Sequence, residues 1–522
     1  MHVLSPRVRL LLGVIGSVSI AIGSLGVGWL GPSSALRSWA VFELLRNSRG
    51  AVTLSGLLVV GGAVLLLAAW VALGVSLLER RSSRGSTLPA SAEAPGEGEA
   101  DARRTASQVR TVAISATAWS IPLLFALPLF SRDMFAYVGQ GRLMAAGLNP
   151  YSTGMADLPG WFGLGVDPLW ADTQTPYGPV FVWLEKIVVM STDALPPEIA
   201  IFAFRFLAVA GLAMLAFYAW RIARLRGLNQ AGVLWIVAAS PLVIMNFVVA
   251  GHNDSLMLGF IVAGVYYALK DRPLLGTVLV ALAIGVKPIA LIALPVIGLI
   301  WAGSNAGWPA IIRRWSAVAA VGIGGVVLLG WGIGVGVGWI GALATPVTIS
   351  SWYAPANILG ISIGGLANGL GLSGDLTQGV VKMVLLAAGC AAAAYLLITK
   401  RRADPLWLLG GCFALIVLAS PVIHPWYGLW LLTLLALVGV DRLWRIRTVL
   451  YATAFFMLIG LAEPMDLIPR FETDTMIPVA VIGTAIVGVA AVLISAEMVT
   501  RRTVAVRGLR IPRLSAPSTP SR

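Results

Sequence analysis

The sequence predicts an all-α protein that crosses a membrane many times, and three observations carry that prediction. Hydrophobic residues make up 58% of the 522 residues and charged ones only 11%, against about 25% charged in soluble domains. Mean hydropathy is +0.88. Apolar runs of about 18 to 25 residues recur along the chain, each long enough for a helix to cross a hydrocarbon layer of about 30 Å. The runs are continuous, without the alternation of membrane β-strands, so helices are expected and a barrel is not.

The first run, Arg9 to Leu30, exceeds the apolar stretch of about 7 to 15 residues in a secretory signal, and a second run follows it, so it reads as a retained span. Residues 1–81 therefore carry two spans, 10–30 and 52–78. Residues 82–109, rich in Ser, Ala, Gly and Glu over 82–106, read as a disordered cytoplasmic linker. Residues 110–500 form the main transmembrane block, and 501–522 a basic cytoplasmic tail.

Basic clusters set the expected orientation. They stand at Arg7 and Arg9, at Arg80, Arg81, Arg84, Arg103 and Arg104, and at Arg501, Arg502, Arg507 and Arg510. Placing all of them inside puts both termini in the cytoplasm and sends span 111–130 outward to Asp133. The net charge of +14 is divided among such clusters and forms no single patch, which argues against nucleic acid as a partner. Cys390 and Cys412 fall inside apolar runs without metal-ligand spacing and read as packing residues.

Residues 131–198 form a long outer segment with seven acidic and three basic residues, a balance opposite to that of the whole chain. Within it, 177–190 is apolar but short and is expected to dip into the membrane and return. The run 274–303 contains Lys287-Pro288. As one span it would place Arg313 and Arg314 outside; as two short spans of about 13 to 15 residues it keeps them inside and puts Lys287 outside. Continuing through Lys400, Arg401 and Arg402, then Arg442, Arg445 and Arg447, gives about fourteen crossings, or about twelve to thirteen with a re-entrant run.

That topology gathers the unusual polar residues on the outer side: Arg132 and Asp133 after the third span, Arg205 just inside the next, His252, Asn253 and Asp254 in "GHND", Lys287, and His424, Trp426 and Tyr427 in "HPWY". Charge at membrane depth costs a few kcal/mol and usually lines a cavity. Each member has a plain alternative. Arg132 and Asp133 serve equally as an interfacial ion pair, Asn253 or Asp254 as a helix N-cap, Lys287 as a snorkelling side chain, and "HPWY" as an aromatic-belt turn. In a helix over 133–147, Asp133, Tyr137 and Gln140 share one face at i, i+4 and i+7. Met134, Phe135 and Val138 turn away, toward lipid, which describes an amphipathic interfacial helix.

The ordered set "SRDMFAYVGQG…GLNPY", "TPYGPVFVWLEK", "SPLVIMNFVVAGHNDSLMLG", "AIGVKPIAL" and "SPVIHPWYGLWLL" resembles the actinobacterial polyprenol-phosphomannose-dependent alpha-1,6-mannosyltransferases that build the mannan core of lipomannan. The resemblance runs from about residue 110 to 440. It implies the GT-C glycosyltransferase fold, about 12–14 transmembrane helices with an interfacial helix in the first large outer loop, where the active site lies. It implies polyprenyl phosphate mannose as donor and a lipid-anchored mannan as acceptor, on the outer face of the plasma membrane.

The chemistry of the residues agrees. Inverting transfer needs a base for the attacking hydroxyl, and Asp133 is the candidate. The leaving phosphate needs cations or donors, for which Lys287, Arg205 and His252 are the candidates. Arg132, Tyr137, Gln140, Tyr177, Asn253, Asp254, His424, Trp426 and Tyr427 are the candidates for holding sugar or acceptor. No paired carboxylates of the DxD kind and no Gly-rich phosphate loop occur, so a nucleotide-sugar donor, a metal and a cofactor are not expected. Two rivals remain open: a GT-C transferase for another polyprenyl phosphate sugar, and a lipid or solute transporter, which would show two related halves around a midplane site. Oligomeric state is not legible.

Overall fold

The computed structural model describes residues 4–82, 97–344, 350–462 and 476–505. The described residues form helices and connecting turns: α1 (Pro6–Val27), α2 (Ala40–Asn47), α3 (Arg49–Ser82), α4 (Glu97–Ser120), α5 (Asp133–Ala145), α6 (Pro179–Thr192), α7 (Pro197–Leu225), α8 (Gln230–Val237), α9 (Pro241–Val243), α10 (Asp254–Leu269), α11 (Pro273–Val286), α12 (Ala293–Ala302) and α13 (Trp308–Gly332). They are followed by α14 (Pro355–Gly369), α15 (Gly374–Thr399), α16 (Pro405–Ala419), α17 (Pro425–Val438), α18 (Leu443–Ala462) and α19 (Met476–Ala505). Among the described residues, seven segments are long and apolar enough to cross a membrane: Pro6–Val27, Arg49–Leu77, Pro197–Leu225, Gln230–Val249, Trp308–Gly332, Gly374–Thr399 and Leu443–Ala462. Shorter apolar helices of 10–17 residues stand beside them. The chain is a polytopic, all-helical membrane protein, consistent with the GT-C class.

Proline punctuates the apolar sequence. Helices α1, α6, α7, α11, α16 and α17 all begin on one, where the missing N–H is one the helix would leave unsatisfied in any case. Where proline falls inside an apolar run it breaks the helix. Pro288 excludes the helical conformation at the residue before it, and Lys287 is extended at φ −144°, ψ 117°.

The chain reverses at that break. Asp254 opens α10 and bonds Lys287 at the end of α11, so these helices are antiparallel; Gly264 and Gly276 lie against each other's backbones at their crossing, where a side chain would not fit. Gly298 lies against Trp315 and Gly322 against Leu294, which makes α12 antiparallel to α13. Helix α13 ends beside Pro179, which follows the Gly178 that meets Gly285. Hence α12 leads back toward the end from which α11 came. At that far end Arg314 lies over Trp301 and Arg401 over Trp308, and Arg226 pairs with Asp404. Arg226, Arg314 and Arg401 are thus at the opposite end of the bundle from Lys287.

Three expectations need revision. The presumed linker 82–109 is helical from Glu97 onward, since past Gly98 in the first turn it is rich in the helix formers Ala, Arg, Glu and Gln and Arg103 pairs with Glu99 at i, i+4; 83–96 lie outside the described residues. Helix α19 runs to Ala505, into the presumed tail, of which 506–522 lie outside the described residues. In place of a dip and return over 177–190 stands a single helix, α6 (Pro179–Thr192), running alongside α5 in the same direction: Tyr137 meets Phe181 and Gly141 meets the Glu185 backbone.

Candidate active site

Five breaks in helical structure meet at one place. Asp133 is the first residue of α5, Tyr177 stands just before α6, and Asp254 opens α10 after a π-helical turn, Ile244–Val249. Lys287 separates α11 from the 3-10 turn that leads into α12, and His424 caps α17. Four of the helices, α5, α6, α10 and α17, direct their N-termini here. Each brings the positive end of its dipole.

The Asp133 side chain keeps 14% of its surface exposed, whereas its neighbour His252 is fully buried. His252 Nδ1 lies 3.2 Å from Asp133 Oδ2, too far off line for a well-directed hydrogen bond. The Tyr177 hydroxyl donates to the same oxygen at 3.3 Å. Burial alone would raise the Asp133 carboxyl, but the contact with His252, reinforced by the Lys287 charge, outweighs it and holds the group at about 2. Asp133 is therefore a carboxylate at any working pH. Burial pushes the Tyr177 phenol well up, so it stays a donor.

Lys287 Nζ lies 2.9 Å from each oxygen of the fully buried Asp254. The rings of Tyr177, Tyr427 and Trp430 surround the ammonium at 5.8, 5.5 and 5.5 Å, within cation–π range. Tyr177 thus stands between Asp133 and Lys287 and touches both. Above them Trp426 stacks on His252, centroids 3.7 Å apart, and on His424 at 4.4 Å. Burial depresses the His424 imidazole to about 4, so it is neutral at physiological pH. The Trp426 indole nitrogen and the Asn253 amide have no hydrogen-bond partner among the described residues although both are buried.

Several expected site residues have other occupations. Arg205 is buried in α7, and its guanidinium donates to three main-chain oxygens, Leu124 at 2.8 Å, Ala126 at 2.6 Å and Val249 at 3.0 Å. It ties the loop before Asp133 to the turn before His252, which leaves it badly placed to meet a phosphate. His252, expected at the phosphate, sits behind Asp133. Arg132 lies over Trp29 at 3.8 Å and pairs with Asp167, fastening two loops. Gln140 is buried and accepts from Thr175. Tyr137 is buried among Tyr177, Phe181 and Phe204, with its hydroxyl accepting from the Asn253 N–H at 3.4 Å. Asp254 faces Lys287 and no sugar. Asn253 occupies the N-cap position of α10 without a side-chain capping bond. Met134, Phe135 and Val138, expected in lipid, are buried in protein; Met134 packs on Gly251 and Phe135 on Gly165.

Two residues escaped the sequence reading. Trp430 donates to Asp254 Oδ1 at 2.8 Å; its signal was its place one helical turn beyond Trp426. Glu185 is fully buried with neither carboxylate oxygen partnered among the described residues, and burial pushes its carboxyl well up. Only its position in an otherwise apolar run hinted at this.

A polytopic helical protein whose breaks gather a carboxylate, an ammonium and stacked aromatics at one end of the bundle has the build of a membrane glycosyltransferase. Comparison with known proteins makes the assignment. Residues 10–303 match the family described as alpha-(1→6)-mannopyranosyltransferase, N-terminal domain, and residues 356–496 match the MptB C-terminal domain. The chain belongs to this family and is a hexosyltransferase. It is 28% identical to a probable alpha-(1→6)-mannopyranosyltransferase of Mycolicibacterium smegmatis, over 90% of this chain and 85% of that one. It is 30% identical to alpha-(1→6)-mannopyranosyltransferase A of Mycobacterium tuberculosis, over 83% of this chain and 80% of that one. An alpha-(1→6)-mannopyranosyltransferase B of Corynebacterium glutamicum is 26% identical over 88% of this chain and 78% of its own.

Proposed function

We propose that the protein transfers mannose, with inversion, from polyprenyl phosphate mannose to a lipid-anchored mannan, forming alpha-1,6 linkages at the outer face of the plasma membrane. One observation carries this reading: a partly exposed carboxylate and a caged ammonium are joined through Tyr177 at the end of the bundle away from Arg226, Arg314 and Arg401. With those arginines in the cytoplasm, Asp133 and Lys287 face outward, and about 12–14 crossings keep both termini inside.

In this mechanism the acceptor hydroxyl lies against Asp133, the exposed member of the pair. Its oxygen attacks the anomeric carbon as the bond to phosphate breaks, through an oxocarbenium-like state. A carboxylate held near 2 is a weak base, so it takes the proton late, once the new bond has made the hydroxyl acidic. His252 and Tyr177 hold the carboxylate in place. Negative charge grows on the leaving phosphate, and Lys287 with the four helix N-termini meets it. Trp426, stacked between His252 and His424, offers its N–H, and Asn253 its amide, to the sugar; Tyr427 packs beside them.

The test is a membrane assay with a panel of radiolabelled polyprenyl phosphate sugars. Wild type should use the mannosyl donor, and Asp133→Asn, though folded, should lose transfer by at least about a hundredfold, the lower bound for a general base. Preference for another sugar would reject the donor assignment, and an active Asp133→Asn would reject the base.

A further inference from the structure

Trp430 bears on the ion pair at the centre of the site. Its indole N–H donates to Asp254 Oδ1 and its ring stacks on Tyr427 at 4.0 Å. Asp254 in turn holds Lys287 through both oxygens. An ammonium has three N–H donors, and Asp254 accepts from it twice. The aromatic rings around Nζ stabilise the cation without using a donor. Lys287 therefore presents about one free N–H and a charge largely cancelled by its partner.

We propose that Asp254 and Trp430 are positioning residues that limit the pull of Lys287, so that the site holds a singly charged phosphodiester and releases the doubly charged monoester made from it. The inference rests on the reading of Lys287 as the partner of the leaving phosphate. The donor phosphate bridges sugar and lipid and carries one negative charge. When the bond between the anomeric carbon and oxygen breaks, its electron pair stays on the phosphate, the sugar joins the acceptor oxygen, and the acceptor proton passes to Asp133. The product is a phosphate monoester, whose second ionisation lies near pH 6, so it becomes a dianion at neutral pH. An unpaired lysine would hold that dianion more tightly than the donor and trap the product. Asp254 cancels most of that preference, and once Asp133 has passed its proton on to water its carboxylate repels the extra charge.

Two folded variants shift product inhibition in the same direction to different degrees. In Asp254→Asn, inhibition by farnesyl phosphate, a short-chain stand-in for the product, should tighten about tenfold, a change equivalent to one decade of affinity. Its kcat should fall because release becomes slow, while donor KM does not rise. Trp430→Phe keeps the carboxylate and the ring stack but removes the N–H that orients Asp254. With the cancellation of Lys287 weakened and not lost, inhibition by farnesyl phosphate should tighten here in the same direction but less, by about threefold, with donor KM not raised. Monodispersity on size exclusion and thermal melting establish folding. Unchanged inhibition in folded Asp254→Asn overturns the proposal, as does unchanged inhibition in folded Trp430→Phe; the second result decides alone if Asp254→Asn does not fold. A wild type that neither uses a polyprenyl phosphate sugar nor is inhibited by farnesyl phosphate would instead overturn the donor reading itself.

Discussion

Replacing Arg205 by methionine separates a structural arginine from a phosphate ligand. Methionine keeps most of the stem volume in the packed interior of α7 and removes the guanidinium with its three bonds to the carbonyls of Leu124, Ala126 and Val249. A hydrogen bond from a charged donor contributes about 1.5–3 kcal/mol, but these three share one group and do not add. Breaking a buried charged cluster typically costs about 3–5 kcal/mol, and the three carbonyls are then left without that donor. We expect Arg205→Met to melt several degrees below wild type in nanodiscs. The folded fraction should show a lower kcat, because the loop before Asp133 and the turn before His252 lose their tie, and an unchanged donor KM. Arg205→Lys should fall between the two, since an ammonium cannot reach three carbonyls in a fixed fork. A melting temperature within about 1 °C of wild type, a loss of about 1 kcal/mol or less, together with a donor KM raised tenfold would refute this reasoning and restore Arg205 as a phosphate ligand.

Lys287→Ala should raise donor KM and lower kcat, with little effect on acceptor KM; an unchanged donor KM would remove Lys287 from the phosphate. Because Asp133 is held at about 2 and His424 at about 4, both keep one protonation state from pH 5 to 8. The Asp133 anion is lost only as pH falls through its depressed folded value, and neutral His424 gains its proton only as pH falls through 4. A rate profile with a midpoint near pH 6 that moves in His424→Gln would contradict this. For topology, in a Cys390→Ser background, Ser152→Cys should react with an impermeant maleimide added outside intact cells and Ser304→Cys should not; labelling of both from the same side would refute the reversal at Lys287.

The fold was legible because its determinants are local. A helix in lipid must satisfy its own backbone, so run length, proline and arginine placement suffice to mark helices, and the reversal at Lys287-Pro288 follows from one proline and the arginines after it. The gathering of Asp133, His252, Asp254, Lys287 and His424 was legible for the same reason, since all lie at the ends of apolar runs. Partners within the gathering were not. Nothing in the spacing says that Asp254 faces Lys287 33 residues away, or that Arg205 spends its donors on carbonyls from two distant segments. The lipid-facing assignment of Met134, Phe135 and Val138 failed because helix periodicity shows which residues share a face, not what covers it. Here α6, α7 and the loop around Gly165 cover them.

The helix ends explain how so apolar a protein could manage a charged reaction with few cations. Among the described residues, Lys287 is the ammonium at the site, and half its work is already claimed by Asp254. The other arginines nearby are engaged by carbonyls or by Asp167. Four helix N-termini remain, each carrying partial positive charge equivalent to roughly half an elementary charge. At α5 and α10 the first-turn carboxylates Asp133 and Asp254 already face that charge, whereas α6 and α17 have no acidic residue in their first turns. Unlike Lys287, which is buried against a carboxylate, such a helix end brings no net charge into the interior. Breaking helices is therefore the economical way to build this site, and it accounts for the proline, glycine and π-helical turn that interrupt apolar runs beside the catalytic groups.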